Sequence, residues 1–286
     1  MNGGVQIGFS INEILAVALV TSGAVWGVLA LRQRRAATGA ARVVERKPLW
    51  PGFDAAQSAS WFAALFAVLF GVVALLFTCR VALADWPKVP TGSMEPTLRV
   101  GDYLLVNHLA YGPRLPFTNT AIEWGLPQRG DVVVFRFPLD VSEFYVKRLV
   151  GLPGDVVAFE DGAVRVNGAP FNVQVLSEGT GAGVAVEDRG QWLLRETAQG
   201  RSRTIKVNPF VMGRAGVAGM AEHCTSPRPG AWQCTVPAGE YLMMGDNRDN
   251  SVDSRDWGFL PHAQVYGKAV RVLFNLQDRS RLWTAL

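Results

Sequence analysis

The sequence predicts a mainly β domain, exported across a membrane and anchored to it by two N-terminal transmembrane helices. Three observations predict it. Two apolar runs without a charged residue lie near the N-terminus, Ile14 to Leu31 and Ala55 to Cys79. Behind them, short runs of β-branched and aromatic residues are punctuated by Gly-Asp, Asp-Gly and Asn-Gly pairs. After residue 83, long amphipathic helical periods are scarce.

The first run is 18 residues long and the second 25, and about 20 apolar residues span a bilayer as a helix. Residues 14–31 and 59–82 therefore read as transmembrane helices. The first contains Thr21, Ser22 and two glycines, so burial in a soluble core is its alternative. A cleavable signal peptide needs positive charge ahead of its apolar core. Residues 1–13 hold Glu13 and no Lys or Arg, which rejects that reading. The positive charges follow the run: Arg32, Arg34, Arg35, Arg42, Arg46 and Lys47 stand against Glu45. Loops rich in Lys and Arg stay in the cytoplasm. The tail 1–13 is then outside, 32–58 is a basic cytoplasmic loop, and 83–286 is outside again, which in a Gram-negative bacterium means the periplasm.

The net charge of +4 is partly that loop. No basic stripe interleaved with aromatics occurs elsewhere, so no nucleic-acid partner is expected, and nothing hints at a cofactor. Of three cysteines, Cys79 ends the second apolar run. Cys224 and Cys234 flank a Pro/Gly-containing loop, a disulfide candidate in an oxidising compartment. Free thiols or a metal remain the alternatives, with His223 a thin addition to a ligand set.

Strand signals follow in order. "GDVVVFRFP" (Gly130 to Pro138) and "FYVKRLVG" (Phe144 to Gly151) are bounded by turn residues. "GDVVAFEDGAVRVNGAP" carries turn pairs at Asp161-Gly162 and Asn167-Gly168, a pattern of consecutive hairpins. "YLMMGD" and "GKAVRVLFN" are further strands. Residues from about 165 to 240, rich in Gly and polar residues, read as an inserted, looser β lobe.

Ser93, in "TGSMEPTL", is by itself an ordinary turn residue. His108, His223 and His262 sit in unremarkable settings, so a Ser-His-Asp arrangement has little support. A neutral lysine can also take a serine's proton, and Lys147 is the candidate. On a strand it shares a face with Tyr145 and Leu149 while Val146 and Arg148 point the other way. Desolvation there would lower its pKa; a sheet-edge lysine reaching for water is the alternative. The third block, "GDNRDNSVDSRDWG" (Gly245 to Gly258), is either a solvated loop or a hydrogen-bonded platform under an active site.

Together "PTGSMEPTL", "GDYLLVNHLAYG", "RGDVVVF" with "YVKRLVGLPGD", and "GDNRDNSVDSRDWGFLP" resemble, in order and spacing, the bacterial type I signal peptidases. The resemblance covers both apolar runs and most of the chain after them, weakly between about 170 and 240. It implies a β core shared with repressor-type autoproteases, carrying an added β lobe. It also implies a Ser/Lys dyad, with Ser93 as nucleophile and Lys147 as general base. Ser251 matches a serine that orients the amine; Thr91, with the Ser93 N–H, matches the oxyanion hole. Asp253 and Arg255 match a supporting ion pair, and Asp246 is expected to pair with Arg148. Substrate is expected as an added strand between Pro87, Lys88, Val89 and Pro90 on one side and Tyr145 and Val146 on the other. Glu95 departs from the usual pattern and is expected to face solvent. The implied activity is removal of signal peptides from secreted preproteins after A-x-A sites. The implied setting is the bacterial inner membrane, beside the secretion machinery, with the lipid bilayer as a partner and no metal. A soluble-type Ser/Lys autoprotease and a non-catalytic anchored binding domain are the rival readings.

Overall fold

The computed structural model describes residues 9–38, 55–82, 84–112, 125–160, 163–179, 189–209, 222–228 and 230–286. Most of the tail 1–13 and of the loop 32–58 lies outside these residues. Two compact units divide the chain, Gly8–Val81 and one that includes Ala82–Leu286.

The first unit holds α1 (Phe9–Thr38) and α2 (Ala55–Ala82). The Trp26 and Phe70 rings stack with centroids 6.3 Å apart. Phe70 also closes on Gly23, where a β-carbon would meet the ring at 3.0 Å. Leu65, Val68, Leu69, Val72, Leu75 and Leu76 leave exposed apolar surface on α2. Among the described residues, however, no helix is long and apolar enough to cross a membrane. The described side chains of α2, at 61–62 and 64–76, form a run shorter than the about 20 residues a span needs. The two expected transmembrane segments are thus found as helices, without a demonstrated span.

The second unit is built of strands. In chain order these are β1 (Ala84–Asp85), β2 (Asp102–Asn107), β3 (Val132–Phe137), β4 (Asp140–Gly151) and β5 (Val156–Glu160). There follow β6 (Ala163–Val166), β7 (Ala169–Pro170), β8 (Asn172–Ser177), β9 (Trp192–Ala198), β10 (Arg201–Val207) and β11 (Cys224–Arg228). The chain closes with β12 (Ala231–Thr235), β13 (Glu240–Met244), β14 (Leu260–Pro261), β15 (Val265–Asn275) and β16 (Thr284–Ala285), with the one-turn α3 (Ser254–Trp257) between β13 and β14. An eight-stranded sheet runs β1-β2-β15-β3-β4-β13-β14, with β16 on β15. The lobe expected at about 165–240 contributes a three-stranded sheet, β10-β9-β8, and strands of a five-stranded sheet, β11-β12-β5-β6-β7, which also takes in β5. The turn at Asn167-Gly168 has φ of 51° and 79°, the left-handed pair that a two-residue hairpin requires. Cys224 and Cys234 are cross-strand partners on β11 and β12, joined by the expected disulfide.

The β3–β4 pair positions the site because it divides two cores. Val132, Val134 and Val146 pack into one cluster with Met94, Leu98 and Leu104. Val133, Phe135, Tyr145 and Leu149 pack into the other with Met243 and Trp257. Lys147 lies opposite Val133 in the ladder, so strand alternation puts it on the Tyr145/Leu149 face, and Arg148, opposite Val132, on the other. β13 pairs with β4 only from Arg148 to Gly151. Among the described residues, the same edge of β4 from Asp140 to Lys147 has no strand partner.

Candidate active site

Ser93 lies in a single 3-10 turn, Gly92–Met94, one residue after the segment 87–90. That segment is held to β2: the Val89 N–H donates to the Asp102 carbonyl at 2.8 Å, and the Leu104 N–H to the Pro87 carbonyl at 2.9 Å. Buried Met94 anchors the turn in the core. Ser93 is only 8% exposed and Lys147 1%. The Lys147 ammonium donates to Ser93 Oγ at 2.6 Å, which closes a separation of 54 residues along the chain.

Burial is the largest influence on Lys147 and lowers its pKa from 10.5 to about 8. Asp253 and then Asp246 pull the other way, and Arg255 lowers it again. Burial prevails because both carboxylates are already matched by guanidinium groups. Burial alone would raise Asp246, but Arg148 outweighs it and holds the carboxyl below its ordinary value. Arg148 donates to both oxygens of Asp246, at 2.7 and 2.6 Å, a bidentate geometry that fixes orientation as well as charge. Burial would likewise raise Asp253, and Arg255 holds it down through bonds of 2.8 Å to each oxygen. Asp253 also caps α3 and accepts the Gly245 N–H at 2.9 Å. On its other side the Lys147 ammonium lies 5.6 Å from the Tyr145 ring centroid.

Ser251 is buried, 2% exposed. A β-carbon at Gly245 would collide with Ser251 Oγ and with the Ser93 carbonyl oxygen, so the three residues are pressed together at one point. Gly245→Ala must therefore displace Ser251 or the serine turn. Overpacking of this kind costs about 1–3 kcal/mol, and a misplacement near 1 Å costs about 100-fold in rate. The expected outcome is a chain that still folds, by its thermal transition, and has lost about 100-fold in turnover. A normal rate would show that the close approach is dispensable. Thr91 precedes the turn in extended conformation, half-buried, and its side chain makes no capping bond.

Two features escape sequence reasoning. Asn247 donates from its backbone N–H to the Ser93 carbonyl and from Nδ2 to the Gly92 carbonyl, both at 3.1 Å. It thereby ties the 245–258 block to the serine turn. Its position between Asp246 and Arg248 was the only signal in the sequence. Glu95, expected to face solvent, instead folds back against Gly92 and pairs with Lys206 at 3.3 Å; the partner lies in the lobe, 111 residues away. The histidines pack elsewhere: His108 against Tyr266, His223 against Phe259, and His262 Nδ1 with the Tyr241 hydroxyl at 2.7 Å. Among the described residues, no group of three His, Cys, Asp or Glu side chains could hold a metal.

Comparison with known proteins places these residues in context. The family model described as "Signal peptidase, peptidase S26" matches residues 60–274. The chain is 37% identical over 221 residues to a signal peptidase I of Pseudomonas aeruginosa, covering 73% of this chain and 71% of that one. It is 39% identical over 215 residues to a signal peptidase I of Pseudomonas fluorescens, covering 71% and 69%. Among solved structures, a signal peptidase I from Enterococcus faecalis is similar at 25% identity, over 51% of this chain and 97% of that one, with a TM-score of 0.29.

Proposed function

The chain belongs to the signal peptidase family, peptidase S26, and from that membership we propose that it removes signal peptides from secreted preproteins by a Ser93/Lys147 dyad. The single observation that carries the dyad is the 2.6 Å contact between the Lys147 amine and Ser93 Oγ in a buried site. Lys147, neutral once its proton is lost near pH 8, accepts the Ser93 proton as Oγ attacks the scissile carbonyl. The Thr91 hydroxyl and the Ser93 N–H receive the developing oxyanion; one such donor is typically worth about 3 kcal/mol of barrier. The lysine proton passes to the leaving amine. Water, deprotonated by Lys147, then attacks the acyl-enzyme and frees Ser93. Ser251 orients the amine, while the Asp253–Arg255 and Asp246–Arg148 pairs hold the platform beneath it.

Substrate is recognised as an added strand. The edge of β4 at Tyr145 and Val146, which lies beyond the stretch that β13 covers, supports this, as does the segment Pro87, Lys88, Val89, Pro90, whose bonds to β2 occupy one of its edges. Small side chains at the first and third positions before the scissile bond give the A-x-A pattern. The deciding experiment incubates the purified chain, in detergent, with a preprotein bearing an A-x-A site. Cleavage at that bond is expected, and an intact preprotein would refute the reading.

The anchor belongs to the same proposal: two membrane-crossing helices in a bacterial inner membrane, with the β unit on the periplasmic side, acting beside the secretion machinery. The two uncharged runs, the apolar surface of α2 and the Arg/Lys-rich loop support it. In intact cells, Ala40→Cys should then be shielded from an impermeant thiol reagent and Ser202→Cys should be labelled above the unmodified chain. The reverse pattern would overturn the topology.

A further inference from the structure

The hairpin β9–β10 is joined to the catalytic block by more than packing. The Lys206 N–H donates to the Asp246 carbonyl, and the Arg248 N–H donates to the Lys206 carbonyl, both at 2.8 Å. β10 thus grips the backbone on both sides of Asn247, the residue that holds the Ser93 and Gly92 carbonyls. Beneath this grip lies a buried ionic cluster. Glu196, on β9, is 1% exposed. It accepts from Arg248 at 3.0 and 2.6 Å, and from Nε of Arg203, its cross-strand partner, at 2.7 Å. The Arg248 carbonyl in turn accepts from Arg255 at 2.6 Å, which connects the cluster to the Asp253–Arg255 pair.

Stability does not account for such a cluster. Buried ion triads can often be exchanged for apolar residues of similar volume with no loss of stability. What the ions supply is direction: a guanidinium held at both nitrogens has one orientation, and the backbone that carries it is the backbone of the catalytic block. We propose that Glu196 is a positioning residue of the catalytic site. It holds Arg248, so that Asn247 keeps the Ser93 turn in register with Lys147. The inserted lobe is by this account part of the active-site scaffold. The inference rests on the Ser93/Lys147 reading above.

The test uses the full chain in detergent and a preprotein substrate, with Ser93→Ala as the control for that reading. Glu196→Gln, nearly isosteric, should lower kcat by about 10- to 100-fold, the scale of a small misplacement of reacting groups. KM should stay within about twofold, because the substrate edge of β4 is untouched. A role confined to folding would lower the melting temperature and leave kcat per folded molecule unchanged. Should Glu196→Gln fail to fold, the apolar replacement Glu196→Leu/Arg203→Met/Arg248→Met, which leaves no unpaired charge, decides instead. Reduced kcat in a stable variant supports positioning. Wild-type kcat in the folded variant, with Ser93→Ala inactive, overturns it without touching the dyad. An active Ser93→Ala chain would instead remove the reading on which the proposal rests.

Discussion

Ser93→Ala and Lys147→Ala are each expected to abolish preprotein cleavage, by about 10⁴-fold or more, the scale seen when one member of a catalytic unit is deleted. In the proposed mechanism the two groups act as one device: Ser93 Oγ is a poor nucleophile without a base, and the Lys147 amine lies 2.6 Å away. The double variant should therefore be no slower than either single one, because the effects of such a unit are not additive. Residual activity above the uncatalysed rate would come from the donors around the oxyanion, which both variants keep. Ser93→Ala removes one oxygen from an almost fully buried turn and should leave the thermal transition nearly unchanged. Lys147→Ala leaves a cavity where a long side chain was enclosed, so Lys147→Met is the better-matched control for packing. A Ser93→Ala chain that processed preprotein at the normal rate would falsify the dyad.

The face on which Lys147 lies was legible in the sequence because strand alternation is local, whereas its pairing with Ser93 came through the family resemblance. A period of two placed Lys147 with Tyr145 and Leu149, and the ladder opposite Val133 keeps it there. The carboxylate–guanidinium pairs were legible through the family resemblance, which supplied partners that spacing alone could not. What stayed hidden is long-range docking. Periodicity says which face of β9 or β10 is covered, and not by what. Glu196 meets Arg248 across 52 residues and Lys206 meets Glu95 across 111, so these charged positions of the lobe are buried against the serine turn and the 245–258 block by contacts that no local pattern announces. Gly245 was one glycine among 30; only the proximity of Ser251 and the Ser93 carbonyl makes it obligatory.

Activity should rise with pH through an apparent pKa near 8, set by the buried Lys147. A free lysine, with a pKa of about 10.4, would be about 0.4% neutral at pH 8, whereas a pKa of about 8 leaves about half of it neutral. Desolvation thus supplies roughly a hundredfold more base. Below the limb, kcat/KM should fall about tenfold per pH unit. The same shift has a consequence for stability. The folded chain releases the proton near pH 8 and the unfolded chain near 10.5, so the unfolded state binds more protons between these values and stability rises with pH across that window. Below pH 8 both states carry the charge, and the folded state bears the full cost of burying it, about 3 kcal/mol at 1.36 kcal/mol per unit. Lys147→Met removes that cost. The inactive variant should therefore be more stable than the parent at pH 7, by up to about 3 kcal/mol, and the difference should shrink above pH 8 and vanish near 10.5. Thermal unfolding across that range measures it directly. The rate limb has its own control. Leu149 is fully buried on the Lys147 face, and Leu149→Asp would place a carboxylate where it favours the charged amine, moving the limb upward by about one unit or more. If the limb stays at 8 in a folded Leu149→Asp chain, and Lys147→Met gains no stability at neutral pH, then the titrating base is not an amine buried between Tyr145 and Leu149.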